Sequence, residues 1–370
     1  MEAEFRANTT VFAAVFPPIE KSMSFDKFWG NTSVAAALAP MVESGRIPQT
    51  ILLGGPEGIG KATLARRFAA RLLRDEHRIE QDDLSLASNL ELIEQREKWT
   101  AEKRGEDPLL FSSHPDFITF APDGPLRQLS IQQIRTLKER AQYKPLRGSH
   151  RVFLIDRLDR ANEQAANSLL KLLEEPPDHL IIIATAENIY DLLPTIRSRS
   201  IVFQMSRLSE EEMAAFLKSR VFTEIEMRIA LAEGSPGIAV TIDLNKHRER
   251  RALMLSLFEC ASGAKPFSSW VQQSESFSNR KTEKLDHYLK IGYSVLEDIL
   301  LSWQGQPIIR NRDVQSEISG IASRVSFRWM EKAVQSMDEL AEMIRRNIQK
   351  TIALDAVIMD LRNQLERRRA

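Results

Sequence analysis

The chain has 370 residues, too many for one hydrophobic core, so two or three domains are expected. Its 51 basic and 51 acidic residues cancel, which argues against a protein that holds nucleic acid by overall charge, although local basic patches stay open. A single cysteine, Cys260, excludes an internal disulfide framework and a multi-cysteine zinc site and reads as a buried thiol; the six histidines lack paired spacing, so no metal site is expected.

Residues 1–22 read as an extension closed by Pro17 and Pro18, and Met23 opens a more regular pattern as a candidate translation start. The N-terminus lacks the basic start and apolar core of a secretory signal, and no apolar run approaches a bilayer span, so a cytoplasmic location is expected. An apolar helix is expected around Val34–Val42, then a short apolar strand Ile51–Leu53 that feeds a glycine-rich turn, as a central parallel strand does. The helix after the turn carries Leu64, Phe68 and Leu72 on one face. Residues 75–107 turn strongly charged and read as a solvent-exposed helical insertion. A strand Phe117–Phe120, a helix Ile131–Gln142 and a strand Val152–Asp156 follow. The next helix, from about Glu163 to Glu175, has Asn162 as N-cap and Pro176–Pro177 as its stop. Strands Leu180–Thr185 and Ile201–Phe203 complete the pattern.

Strands alternating with helices predict a parallel sheet covered on both faces, a three-layer α/β domain over 23–206. Beyond Ser206 the strand signal ends. A small helical domain is expected at 207–245 and a larger helical one at 246–370, including helices Leu285–Trp303, Phe327–Ile344 and Thr351–Leu365.

Three stretches carry chemistry. "GPEGIGKAT" (Gly55–Thr63) has the spacing of a phosphate-binding loop, in which Gly55, Gly58 and Gly60 let backbone N–H groups curl around phosphates and Lys61 reaches the terminal ones. Such a loop needs a hydroxyl directly after its lysine to hold Mg²⁺, and Ala62 has none. Thr63 comes one residue late, about 100° further round the helix, and is expected to point elsewhere. Either the loop persists for its tight turn, or it binds ATP or ADP weakly without turnover. In "RVFLIDRLDR" (Arg151–Arg160), Asp156 stands at the end of a strand where it would orient a metal, but the second acid that positions the attacking water is replaced by Arg157, which stays protonated and cannot act as a base. In "TIRSRS" (Thr195–Ser200), an arginine at a domain edge can reach a neighbouring subunit's γ-phosphate, or can form an ordinary surface ion pair.

Taken with "SSHPDF", "LSIQQIR", "IIIATAEN", "EGSPGIA" and "NIQKTIALDAVIMDL", these stretches resemble the AAA+ clamp-loader family of the bacterial DNA polymerase III holoenzyme, and within it the delta-prime branch. The resemblance runs from about Met23 to Leu365 and implies an AAA+ domain, a helical lid and a collar domain used for oligomerisation. It implies a DNA-replication subunit of a pentamer that opens a sliding clamp and places it on primed DNA, with gamma/tau motor subunits and a delta subunit as partners. It also implies a largely rigid member without ATPase activity of its own, for which no cofactor is required. Ser198 and Arg199 match the family's Ser-Arg-Cys motif, with Ser200 in place of the cysteine, so Arg199 is implied as an arginine finger supplied in trans and Ser198 as its motif partner. Thr185 matches the sensor-1 position. Gly237 and Ile238 fall where motor subunits carry the sensor-2 arginine, and the charged insertion falls where they carry a four-cysteine zinc module. Two rival readings remain at this level: an active, divergent AAA+ ATPase, and a DNA-binding module in its own right.

Overall fold

Alternate residues of each central strand face opposite layers, and both sets are apolar, which is what commits these segments to a sheet buried on both sides. In the computed structural model, which describes residues 28–278, 285–308, 310–344 and 350–366, Ile51, Leu53, Val152, Leu154, Ile181 and Ile183 pack on one side of the sheet. Leu52, Phe153, Ile155, Leu180, Ile182 and Ala184 pack on the other. The expected extension 1–22 lies outside the described residues.

The chain opens with α1 (Thr32–Ser44), β1 (Thr50–Gly54) and α2 (Lys61–Leu73), and then three short helices, α3 (Glu76–Glu80), α4 (Ala87–Arg96) and α5 (Ala101–Glu106). It continues through β2 (Leu110–Phe111), β3 (Phe117–Phe120), α6 (Ile131–Ala141), β4 (Arg151–Ile155), α7 (Glu163–Glu174), β5 (Leu180–Ala186), α8 (Pro194–Ser198) and β6 (Ile201–Gln204). Strand order is β2-β3-β4-β5-β1-β6. Helices α1 and α2 cover one face, through Val34, Leu38, Leu64 and Phe68. Helices α6, α7 and α8 cover the other, through Ile134, Leu137, Leu169, Leu173 and Ile196. This is a three-layer α/β arrangement: β1 ends in the phosphate-loop sequence, flanked by β5 on one side and β6 on the other. Asn162 caps α7, as its sequence predicts, by accepting from the Ala165 amide at 2.8 Å.

Two expectations are corrected. The sheet is not wholly parallel, because β2 pairs antiparallel with β3 through Leu110↔Phe120 and Phe111↔Thr119. The charged insertion is not simply solvent-exposed helix, because Ile79, Asp82, Ile93 and Arg96 are buried. Arg96 fills a polar centre between α4 and the chain after β3, with Nη2 2.7 Å from Asp123 Oδ2, Nη1 3.3 Å from Asp107 Oδ2, and its guanidinium over the Trp99 ring. Charges that composition assigns to solvent are here spent on each other.

Helices α9 (Glu210–Ser219), α10 (Ile225–Ala232) and α11 (Pro236–Thr241) follow the sheet, and α12 (Leu244–Ala261), α13 (Phe267–Ser278), α14 (Asp286–Trp303), α15 (Gln315–Ala322), α16 (Phe327–Ile344) and α17 (Lys350–Glu366) complete the chain. Two compact units result: the residues to Ile225 with Ala232–Val240, and Glu226–Leu231 with the residues from Thr241 onward. The second unit is all-helical around Phe258, Trp270, Tyr288, Trp329, Leu354 and Ile358, and Cys260 is buried in it as a free thiol. Its buried Arg251 is held by Asp313 and, at 3.2 Å, by Asn311 Oδ1. Among the described residues no helix is long and apolar enough to cross a membrane.

Candidate functional site

The turn after β1 depends on two glycines. Gly55 has φ 142°, and a Cβ there would lie 2.4 Å from the Met205 carbonyl oxygen; Gly58 has φ 76°, and a Cβ there would strike Ile238. Gly60 precedes α2 as its N-cap, Lys61 opens that helix, and Thr63 lies half-buried in its first turn. Lys61 folds back into its own loop: Nζ donates to the carbonyls of Gly55 at 2.5 Å and Pro56 at 2.7 Å. Burial pushes its pKa down, opposed chiefly by the Asp156 carboxylate. Helix α11 closes the loop from outside. The Gly237 amide donates to the Gly58 carbonyl at 2.7 Å, an approach so close that a side chain at 237 would collide with Gly58.

Asp156 and Thr185, at the ends of adjacent parallel strands β4 and β5, meet directly. Thr185 Oγ1 donates to Asp156 Oδ1 at 2.7 Å and accepts from the Arg157 amide at 2.8 Å. Arg157 adopts φ 52°, ψ 58°, left-handed for a residue with a Cβ, and aims its guanidinium into an ion pair with Glu57 of the phosphate loop. Asp159 accepts from the Glu187 amide at 3.2 Å and so ties the β4–α7 turn to the end of β5. The structure therefore brings Gly55, Gly58, Gly60, Lys61, Asp156 and Thr185 together, but their polar groups bind each other: a cation at 157 and an anion at 57 complete the network from within the chain.

Ser198 and Arg199 stand apart from this network. Arg199 follows α8, two residues before Ile201, and Ile201 pairs with Ile51 at the start of β1. Lys61 lies beyond the other end of that strand. Five residues of strand separate the two edges by about 16 Å, more than an arginine side chain spans. Arg199 thus faces away from its own phosphate loop. It also lies beside the open edge of the sheet, where β6 exposes Ile201 and Val202. Ser198 Oγ donates back to the Thr195 carbonyl at 3.1 Å.

Residues 30–209 match the family model described as "DNA polymerase III, delta subunit". A gamma subunit of DNA polymerase III from Buchnera aphidicola is 31% identical over 198 residues, covering 54% of this chain and 49% of its own length. Through residues 30–209 the chain is thus similar to clamp-loader subunits of DNA polymerase III. The Escherichia coli tau subunit is 28% identical over 193 residues, which is 52% of this chain and 27% of that protein. The chain spans about half the length, or less, of the curated relatives it matches. A gamma-subunit-related structure from Thermotoga maritima overlays 89% of the chain and 99% of its own, at 19% identity and a TM-score of 0.43.

Two residues of the candidate site have no signal in the sequence: Glu57, an unspecified position of the loop pattern, and Glu174, which pairs with Arg199 at 2.9 Å. Each lies far along the chain from its partner, and no spacing rule links them. The Arg157–Glu57 pair makes a prediction. Both groups are partly exposed, so the pair is worth no more than about 1 kcal/mol, whereas a Cβ in left-handed backbone costs about 1 kcal/mol. Arg157→Ala loses the pair and keeps the strain; Arg157→Gly loses both. Denaturant midpoints should therefore order Arg157→Gly above Arg157→Ala by about 1 kcal/mol, and equal midpoints would contradict the strained geometry.

Proposed function

We propose that the chain is a non-hydrolysing, delta-prime-type subunit of a bacterial clamp loader, which supplies Arg199 in trans to the ATP site of a neighbouring gamma/tau-type motor subunit. The observation that carries this is the placement of Arg199 on the open edge of the sheet, opposite the chain's own phosphate loop. From that edge the guanidinium does not reach a nucleotide bound at Lys61, which supports a role on another subunit's nucleotide. The self-paired loop, with Ala62 in place of a metal-binding hydroxyl and Arg157 in place of a base, supports a subunit that needs no nucleotide turnover of its own. In this role it acts in the cytoplasm with motor and delta subunits and reaches the sliding clamp and primed DNA through the assembled complex.

A second reading, a divergent ATP-hydrolysing motor subunit, draws on the curated relatives, which are named gamma, tau and gamma/tau. Purified chain incubated with Mg²⁺-ATP separates the two. The proposal expects no phosphate release above buffer, and expects the chain to co-purify with a motor subunit whose phosphate loop carries the hydroxyl. Steady turnover by the chain alone, abolished by Lys61→Ala, would establish the second reading instead.

A further inference from the structure

Arg199 is held at three points. Nη1 donates to the Thr195 carbonyl at 3.2 Å and approaches Ser198 Oγ at 3.4 Å. These two acceptors occupy the N–H groups of Nη1 and leave Nε and Nη2, the edge of a guanidinium that binds two oxygens side by side. The Glu174 carboxylate is already paired with one nitrogen of that edge, its Oε1 2.9 Å from Nη2. Glu174 and Arg199 also line a shallow groove of about 400 Å³ with Pro48, Gln49, Thr50 and Ile201, so the pair stands where a neighbouring chain has room to enter. A carboxylate here is locally unfavourable: Glu174 ends α7, where the helix dipole repels negative charge, and Glu175 follows it. The helix dipole therefore gives no reason for an acid at this position, whereas the arginine does.

We infer that Glu174 is a positioning residue that parks Arg199, occupying the guanidinium edge that a neighbour's phosphate oxygens must take over. This rests on the reading of Arg199 as a group that acts in trans. Phosphate and Glu174 compete for one edge, and while Glu174 holds it the arginine's charge is partly neutralised. The competition is modest, because both partners are near half-exposed and such pairs shift equilibria by roughly two- to fivefold. A pair of that strength holds the arginine until a docked, nucleotide-bearing neighbour outcompetes it, and then lets go.

The test is Glu174→Gln in the reconstituted loader, which keeps the side chain's size and removes its charge. Without clamp or DNA, the ATP concentration for half-maximal hydrolysis should fall, or the basal rate rise, by about two- to fivefold. The difference should shrink at high salt, where the native pair is itself screened. Glu174→Asp should behave like the unaltered chain, and in an Arg199→Ala background Glu174→Gln should change nothing. A merely structural role at the end of α7 moves the melting temperature and leaves the nucleotide dependence where it was. If Arg199→Ala slows stimulated hydrolysis while Glu174→Gln changes neither the half-maximal ATP concentration nor the basal rate, or shifts them the opposite way, the parking role is wrong and the trans arginine stands. If Arg199→Ala has no effect, the reading beneath it fails.

Discussion

Under the proposed trans role, replacing Arg199 with alanine in the assembled loader should abolish most clamp- and DNA-stimulated hydrolysis at the neighbouring ATP site, while leaving assembly intact. Arginine fingers contribute about 10³- to 10⁵-fold to such reactions because charge spreads over the transferred phosphoryl oxygens in the transition state, and a fixed cation meets it without reorganisation. A loss of at least about 10²-fold in single-turnover hydrolysis at that site is therefore expected. Assembly should survive because the side chain is partly exposed and its contacts within the chain are to Glu174, the Thr195 carbonyl and Ser198, none of which supports the core. Arg199→Lys should recover only a fraction, since a point charge cannot offer the planar pair of donors. Unchanged turnover on Arg199→Ala, with the complex intact by size, would remove Arg199 from the site.

Arg96→Ala should produce the largest loss of stability among single changes in the charged insertion. Its guanidinium is buried, and so is the Asp123 carboxylate it neutralises, which otherwise accepts from the Gly124 amide at 2.7 Å. Removing one member of a buried pair leaves the other charge desolvated and unmatched, which costs about 3–5 kcal/mol. The Asp107 carbonyl, an acceptor at 2.5 Å, is also abandoned, and the Trp99 ring loses the cation above it. The effect should be local first: hydrogen exchange across α4, α5 and the Asp123–Gln128 bridge should accelerate before the sheet opens. A melting curve and exchange pattern identical to those of the unaltered chain would show that Asp123 is satisfied without Arg96.

The sheet strands were readable because their signal is local. Val152–Ile155 and Leu180–Ala184 are continuous apolar runs, and only a strand between two helical layers buries both alternating sets. The phosphate loop was readable for the same reason, as a fixed spacing on one turn. Strand β2 escaped notice because two residues carry no period, and its antiparallel pairing is decided by Phe120 and Thr119 across the chain. The insertion misled because charge in sequence looks like charge in water, and only the fold shows Arg96 facing Asp123 across 27 positions. Arg157 was visible as a lost base, but its use was not. Its partner Glu57 lies 100 residues away, and the contact exists only because β4 and β1 flank β5.

The exposed flank of β6 has a practical outcome for anyone handling the subunit alone. An edge strand that shows Ile201 and Val202 to solvent, and that pairs on one side only among the described residues, is a template for any stray strand that meets it. On its own, this chain should tend to self-associate along that edge at high concentration, and a partner that covers β6 should suppress the tendency. A lysine at Val202 would act as a gatekeeper and keep the lone subunit dispersed. The same lysine would weaken the intended contact if that contact runs along the strand, so solubility and assembly would trade against each other at a single position.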